Sequence, residues 1–386
     1  MIFISLAQFG MAASSHFVIA FLPFYIFAVS PYSPRETLIW VGSIMGVTHL
    51  ITAVASNLWG FLTSRYSPKL LFMRGVLVHT MAFLLMGFTS NLHVLFALRV
   101  IQGLMGGVST IGLIIVSASS TRERIPADIG FFQTLLTLGL LIGPPLGTFS
   151  ASAFGYRGGF LVAVAGLVIV LIFCHLYVKD VPLSPGGKTS GGRRTINRNS
   201  VLGWFLCFSA SVQLLFLPSI LPKILEEFRV EKTIALKWAG VIIMLDTATA
   251  TLGTYFWTRI ARRFGRDRII LWLVLSGTLL LGVLSLSQRI IDFVVIRMVQ
   301  TGLIAAVIPL VISIFAANLR GGTIGFLNSG RFAGSACGPI IATSILAFSS
   351  LTATYLVIGG ITLLTYLAFR MFSSEDPPPQ GTDHGR

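Results

Sequence analysis

HVLFALRVIQGLMGGVSTIGLIIVSA, residues 93–118, and IIDFVVIRMVQTGLIAAVIPLVISIF, residues 290–315, decide the fold. Each is an apolar run long enough to cross a hydrocarbon core about 30 Å thick as a helix. Each also carries an arginine one turn before a glutamine, Arg99 with Gln102 and Arg297 with Gln300, and 297 minus 99 is 198. An arginine at bilayer depth costs about 2.5–3.5 kcal/mol even on the lenient insertion scale. Two such residues in matching positions therefore read as copies of one unit.

Runs of the same kind fill the chain. Twelve are expected, at about 4–29, 38–63, 70–89, 93–118, 129–152, 158–178, 201–225, 235–258, 269–287, 290–315, 326–349 and 352–372. In lipid only helices or closed barrels satisfy the backbone, and ten-residue alternations are missing, so the expected class is an all-α membrane protein. Composition agrees: 54% of the 386 residues are hydrophobic and 11% charged, with mean hydropathy +0.86, against about 25% charged in an ordinary soluble domain. That excludes a water-soluble globular enzyme, and it excludes intrinsic disorder, which needs low hydrophobicity. Cys174, Cys207 and Cys337 sit in apolar stretches without C-x-x-C spacing, so neither a disulfide framework nor a zinc site is indicated. The first run begins almost at Met1 without a basic leader or an A-x-A exit and reads as a retained span.

The formal charge of +15 reads as basic loops on the cytoplasmic side rather than a nucleic-acid surface. With the N-terminus inside, eighteen basic residues fall in inner loops and ends, against seven in outer loops. Arg65, Lys69, Arg74 and Arg263 are among the eighteen, and the other three arginines lie inside spans. Both termini are expected to be cytoplasmic. The longest polar stretch, KDVPLSPGGKTSGGRRTINRNS, divides the chain into a six-helix bundle at 1–178, a cytoplasmic linker at 179–200 and a second bundle at 201–372. A disordered cytoplasmic tail is expected at 373–386.

Further repeats support two homologous halves. Phe21-Leu22-Pro23 returns as Phe216-Leu217-Pro218, and Gly139-x-x-x-Gly143-Pro144 as Gly334-x-x-x-Gly338-Pro339, both 195 residues on. Arg65-Tyr66-Ser67 after span two matches Arg263-Phe264-Gly265 after span eight, 198 on. Small residues four apart let helix backbones approach, as Gly139, Gly143 and Gly147 would. Pro144 and Pro145 remove helix hydrogen bonds, and Pro23 and Pro218 read as plain kinks.

These residues resemble the major facilitator superfamily over essentially the whole chain. Gly60-Phe61-Leu62-Thr63-Ser64-Arg65-Tyr66-Ser67-Pro68-Lys69 is similar to its G-x-L-[AT]-D-R-x-G-R-[KR] loop, with Gly60, Leu62, Thr63, Arg65 and Lys69 matching. Ser64 stands where the family has Asp, and Arg262 stands at that place in the second half beside Arg263. In the family the acid helps hold the halves together on the cytoplasmic side in the outward-open state. Arg99-x-x-Gln102-Gly103 resembles the span-four signature. Gly139-x-x-x-Gly143-Pro144-x-x-Gly147 resembles the span-five signature commonest among exporters that exchange solute for protons, and Gly155-Tyr156-Arg157-Gly158-Gly159-Phe160 resembles the stretch that often follows. The resemblance implies twelve transmembrane helices in two pseudo-symmetric six-helix bundles, of the drug and metabolite efflux type, in the cell inner membrane.

Asp246 is the only carboxylate deep inside a span, about eight residues or roughly 12 Å below Trp238. Thr249 and Gly253 share its face. It reads either as a proton- or cation-binding group or as the partner of an intramembrane arginine. Arg99, Gln102 and Arg297 are implied by resemblance to take part in coupling or in holding their helices. His16, His49 and His79 lie in spans one to three and suit packed histidines more readily than proton carriers. Gln8, Gln133, Gln213 and Asn328 are neutral groups suited to a path.

No metalloprotease, nucleophile-elbow or nucleotide loop appears, so an enzyme and an ATP-driven pump are both unsupported. The expected function is alternating access with a small, partly apolar solute between the halves, exported in exchange for protons. A uniporter or importer of a metabolite is the alternative, ahead of a channel or a membrane enzyme. No cofactor, metal or nucleic acid is expected, and a monomer suffices.

Overall fold

The computed structural model describes residues 1–181, 198–316 and 321–372, Arg122 apart. Most of the expected linker and all of the 373–386 tail lie outside the described residues. Among those described there is no strand. The helices are α1 Ile2–Val29, α2 Pro34–Leu62, α3 Pro68–Phe88, α4 Leu92–Leu104, α5 Val108–Ser119, α6 Ile125–Tyr177, α7 Arg198–Leu215, α8 Leu217–Glu227, α9 Lys232–Phe264, α10 Arg266–Val283, α11 Ile290–Ile304, α12 Val307–Ala316, α13 Gly321–Phe348 and α14 Leu351–Phe372.

Polar turns start several of them. At α2 the Ser33 hydroxyl accepts from the Glu36 amide while the Glu36 carboxylate accepts from the Ser33 amide, with Pro34 at the first helical position. Ser67 caps α3 and Asn91 caps α4. The starts of α2, α3 and α4 at 34, 68 and 92 recur as those of α9, α10 and α11 at 232, 266 and 290, each 198 residues later.

At 53 residues α6 would be about 80 Å long if straight, well over twice a hydrocarbon core. It is a hairpin. Gly139, Gly143 and Gly147 pack in order against Phe9, Ala13 and Phe17 of α1, whereas Gly159 and Gly166 meet Phe21 and Ser14 in reverse order. The chain turns at Gly155, whose φ of 71° suits glycine. Among the described residues eleven apolar segments are long enough to span, and α6 supplies two crossings, so twelve result.

Among the described residues three spans are broken. Gly107, at φ 87°, separates α4 from α5, the equivalent place separates α11 from α12, and Phe216 separates α7 from α8. Pro23, in the same tripeptide as Pro218, leaves α1 continuous. Packing also shifts one repeat. Gly143 and Gly338 precede equivalent prolines, yet they rest on Ala13 and Val212, 199 residues apart rather than 195. Against its glycine stripe, α7 is therefore seated one turn away from the place that the Phe-Leu-Pro repeat suggests.

Phe72, Phe83, Phe132 and Phe160 anchor one core, built from α1–α6 with Leu236 of α9. Two further cores lie mainly in α7–α14, one around Phe216 and Phe293 that also takes in Ala20 of α1, the other around Leu273 with Val311. The halves meet through two copies of one contact. Gly42 of α2 faces Thr343, Pro339 and Ile340 of α13, and Gly240 of α9 faces Thr148, Pro144 and Pro145 of α6. Gly46 adds a close approach to the Ala336 carbonyl. At the same end Lys223 lies over Phe27 and Lys237 over Phe149. Further along, α6 and α9 part around a cavity of about 500 Å³ lined by Gln133, Thr134, Thr137, Leu138, Leu141, Ala248, Thr251 and Leu252. The halves are thus sealed at one end and separated toward the end that carries Arg65, Lys69 and Arg263.

Candidate functional site

Gly253 has no side chain to keep α9 from the backbone of Gly302 in α11, and a β-carbon there would collide with the Gly302 carbonyl. That close approach brings Asp246 of α9 to Arg297 of α11. Arg297 Nε donates to Asp246 Oδ1 at 2.9 Å and Nη2 to Oδ2 at 3.2 Å, the two-pronged geometry that suits a guanidinium and a carboxylate. Arg297 is 1% exposed and the Asp246 side chain 13%. Thr301 Oγ1 donates to Asp246 Oδ1 at 2.5 Å.

The rest of the guanidinium is also engaged. Nη1 donates to the Gln213 carbonyl at 3.1 Å and to Gln300 Oε1 at 2.7 Å, and Nη2 to the Leu214 carbonyl at 3.3 Å. A guanidinium has five N–H groups, and five acceptors surround it. The Leu214 carbonyl is free because its helical donor would be residue 218, a proline without an N–H. Gln300 Nε2 in turn donates to Gln213 Oε1 at 2.8 Å. The sequence-predicted residues Asp246, Arg297 and Gln213 therefore form one network, and Thr301 joins it although sequence reading missed it. The signal available was its place beside Gln300 on a helix already known to carry a buried arginine.

Thr249, on the same helix, bonds back to the carbonyls of Leu245 and Asp246. In the first half Arg99 is 3% exposed. Its Nε donates to the Ile44 carbonyl at 3.1 Å and its Nη1 to Gln102 Oε1 at 3.2 Å, so the Arg–Gln pair of α11 is repeated in α4. At the place of Asp246, Thr48 (48 plus 198 is 246) donates to the Arg99 carbonyl at 3.0 Å. Gln8 donates to Ser109 at 2.8 Å. His16 lies in α1 and is partly exposed. Among the described residues no group of three His, Cys, Asp or Glu is placed to hold a metal.

The conformational candidates fall elsewhere. Gly139, Gly143 and Gly147 let α6 lie against α1, and Pro144 flanks Gly240 at the contact between halves. Gly60 ends up within α2. Arg65 lies over its own neighbour Phe61, Lys69 Nζ donates to the His175 carbonyl at 2.9 Å, and Arg263 is exposed. Ser64 Oγ donates to the Phe61 carbonyl at 2.8 Å, a purely local bond at an exposed turn. Ser64→Asp is therefore expected to change the thermal midpoint by less than that of a core substitution, within roughly 0.5 kcal/mol. A thermal-unfolding scan of the two proteins checks it. Gly42, Gly46 and Gly240 were passed over by sequence reading; Gly42 and Gly46 were findable in α2 as small residues four apart, and Gly240 as the copy of Gly42 198 residues on.

Set beside known proteins, the chain has relatives of nearly its own length. The Major Facilitator Superfamily model matches residues 4–296. "Multidrug resistance protein MdtG" of Klebsiella pneumoniae is 24% identical over 369 residues, covering 93% of this chain and 89% of that protein. "Uncharacterized MFS-type transporter YuxJ" of Bacillus subtilis is 24% identical over 369 residues, covering 91% and 93%. Among solved structures, the nucleoside transporter NupG is similar with a TM-score of 0.78 at 12% identity, covering 96% of this chain and 98% of that one. A bacterial homologue of the human lysosomal transporter Spinster, in an inward-facing and occupied conformation, gives 0.75 at 12% identity, covering 96% and 95%. At such identities the solved structures speak for the fold. The family match covers most of the sequence, and the chain is a membrane transporter belonging to the major facilitator superfamily.

Proposed function

We propose that the protein exports a small, partly apolar solute in exchange for protons, by alternating access, from an inner membrane in which both termini face the cytoplasm. The observation that carries this reading is Asp246, a carboxylate deep in a span that keeps 13% of its side chain open while holding a buried arginine. With its charge present, Asp246 grips Arg297 and ties α9 to α11. A proton on Asp246 cancels that grip, and the network around Arg297 rearranges. Gln300 and the carbonyls of Gln213 and Leu214 hold the guanidinium meanwhile, and Arg99 with Gln102 does the corresponding holding in α4. The cavity between α6 and α9, with its threonines and leucines, suits a solute with apolar and hydrogen-bonding parts. Relatives named for multidrug resistance support the outward direction. A single chain contains both halves of the path, so a monomer suffices.

A second reading has its own observation: both carboxylate oxygens of Asp246 are engaged, as in a structural ion pair. On that reading the protein is a uniporter. Solute flux in proteoliposomes with and without an imposed pH gradient separates the two. Gradient-driven accumulation is expected, and flux indifferent to the gradient would favour the uniporter. Orientation is tested by tags at residue 190 and at the C-terminus, which are expected to be reached in intact cells only after permeabilisation.

A further inference from the structure

The two halves are not electrically alike. In the second half, Arg297 and Gln300 meet the carboxylate of Asp246 and the amide oxygen of Gln213. In the first half the donors remain and these acceptors are gone. Thr48 stands at the place of Asp246 and turns its hydroxyl to a backbone carbonyl. Gln102 Nε2 is buried without a partner. Among the described residues Arg99 Nη2 carries no hydrogen bond, and no carboxylate pairs with Arg99. Thr48, His49 and His16 each keep part of their surface open, so the group is not walled off. A buried guanidinium without a counter-charge is unfavourable, and what this one lacks is a pair of acceptor oxygens bearing negative charge.

We propose that Arg99 and Gln102 form the subsite for the anionic head of the transported solute, so that the substrate class is small, partly apolar organic anions bearing a carboxylate or phosphonate. The solute's oxygens take the place that Asp246 fills in the other half, and its apolar part extends toward the cavity between α6 and α9. This assignment rests on the transporter reading and deepens it.

The experiment uses matched probes that differ in charge: benzoate and benzylphosphonate against benzamide and benzylammonium, with chloride at equal ionic strength as the control. Purified full-length protein is assayed by thermal unfolding and by calorimetric titration. The anions are expected to raise the midpoint, and the neutral, cationic and chloride controls to leave it unmoved. Thr48→Asp installs the missing carboxylate where Arg99 waits for one. It is expected to raise the midpoint without ligand and to weaken benzoate by about tenfold or more, since like charges then compete for one cation. Thr48→Asn, of similar shape and no charge, is expected to keep the anion response. The proposal is overturned by an equal response to benzoate and benzamide, by no response to either anion, by a chloride response of the same size, or by an undiminished benzoate response in Thr48→Asp. Counterflow in proteoliposomes separates this proposal from the one it rests on. Exchange of benzamide but not benzoate would sink the anion subsite and leave a transporter. Stabilisation by benzoate without exchange of any probe would leave the subsite and sink the export reading.

Discussion

Asp246→Asn is expected to abolish accumulation of solute driven by a pH gradient and to lower the stability of the protein sharply. Asparagine keeps the shape, but it replaces one acceptor oxygen with an NH2 group that points hydrogens at the hydrogens of Arg297. Arg297, 1% exposed, is then a buried cation with no counter-charge. Breaking a buried pair by removing one partner costs on the order of 3–5 kcal/mol, while removing both charges is often close to neutral. The double variant Asp246→Asn with Arg297→Gln is therefore expected to recover most of the lost stability and none of the proton-driven accumulation. Thermal unfolding and proteoliposome flux read the two effects separately. Full accumulation by Asp246→Asn would move the coupling role to His16, His49 or His79. A double variant no more stable than the single one would mean that the ion pair is not what holds α9 to α11.

Gly240→Val is expected to lock the protein away from the conformation described above. A β-carbon at residue 240 would run into the Thr148 hydroxyl and come within 2.9 Å of the Pro145 backbone, and a backbone cannot swing aside as a side-chain tip can. Overpacking of this kind costs about 1–3 kcal/mol, which amounts to roughly a tenfold to hundredfold loss in the population of the sealed form. Gly42→Val, at the copied contact against Thr343 and Pro339, is expected to act in the same direction. The reporter is Thr137→Cys in the cavity between α6 and α9. In inverted vesicles an impermeant maleimide is expected to label it quickly in the parent and about tenfold more slowly or worse beside Gly240→Val, with solute flux largely lost. Unchanged labelling together with unchanged flux would show that the contact yields easily and does not govern the switch.

Hydropathy alone marked the twelve crossings, because a span must be apolar over its whole length whatever its neighbours do. It was blind to where backbones break. Phe-Leu-Pro reads identically at 21–23 and 216–218, yet α1 runs through its proline and α7 stops before its own. The difference lies in what the freed carbonyl can find, and only the second has an arginine waiting. The pairing of Asp246 with Arg297 was half visible. Depth said that each needed a partner, but the two lie on different helices 51 residues apart, and only the packing of Gly253 on Gly302 brings them together. Thr249 shows the opposite limit. It shares a face with Asp246 by periodicity, but a threonine hydroxyl in a helix finds its own carbonyls first.

Pro218 gives the Asp246 network mechanical reach. By withholding one N–H it leaves the Leu214 carbonyl to Arg297, so the guanidinium rivets three helices at once: α7 through two carbonyls, α9 through a carboxylate and α11 through its own backbone. The rivet sits at the interruption beside Phe216, where α7 hands over to α8 and the rod is weakest. On the proton-exchange reading proposed above, a change of charge on α9 would be delivered as a pull on α7 just short of its joint, and α8 is the arm that such a pull would swing. Its far end carries Lys223, which rests on Phe27 across the seal between the halves.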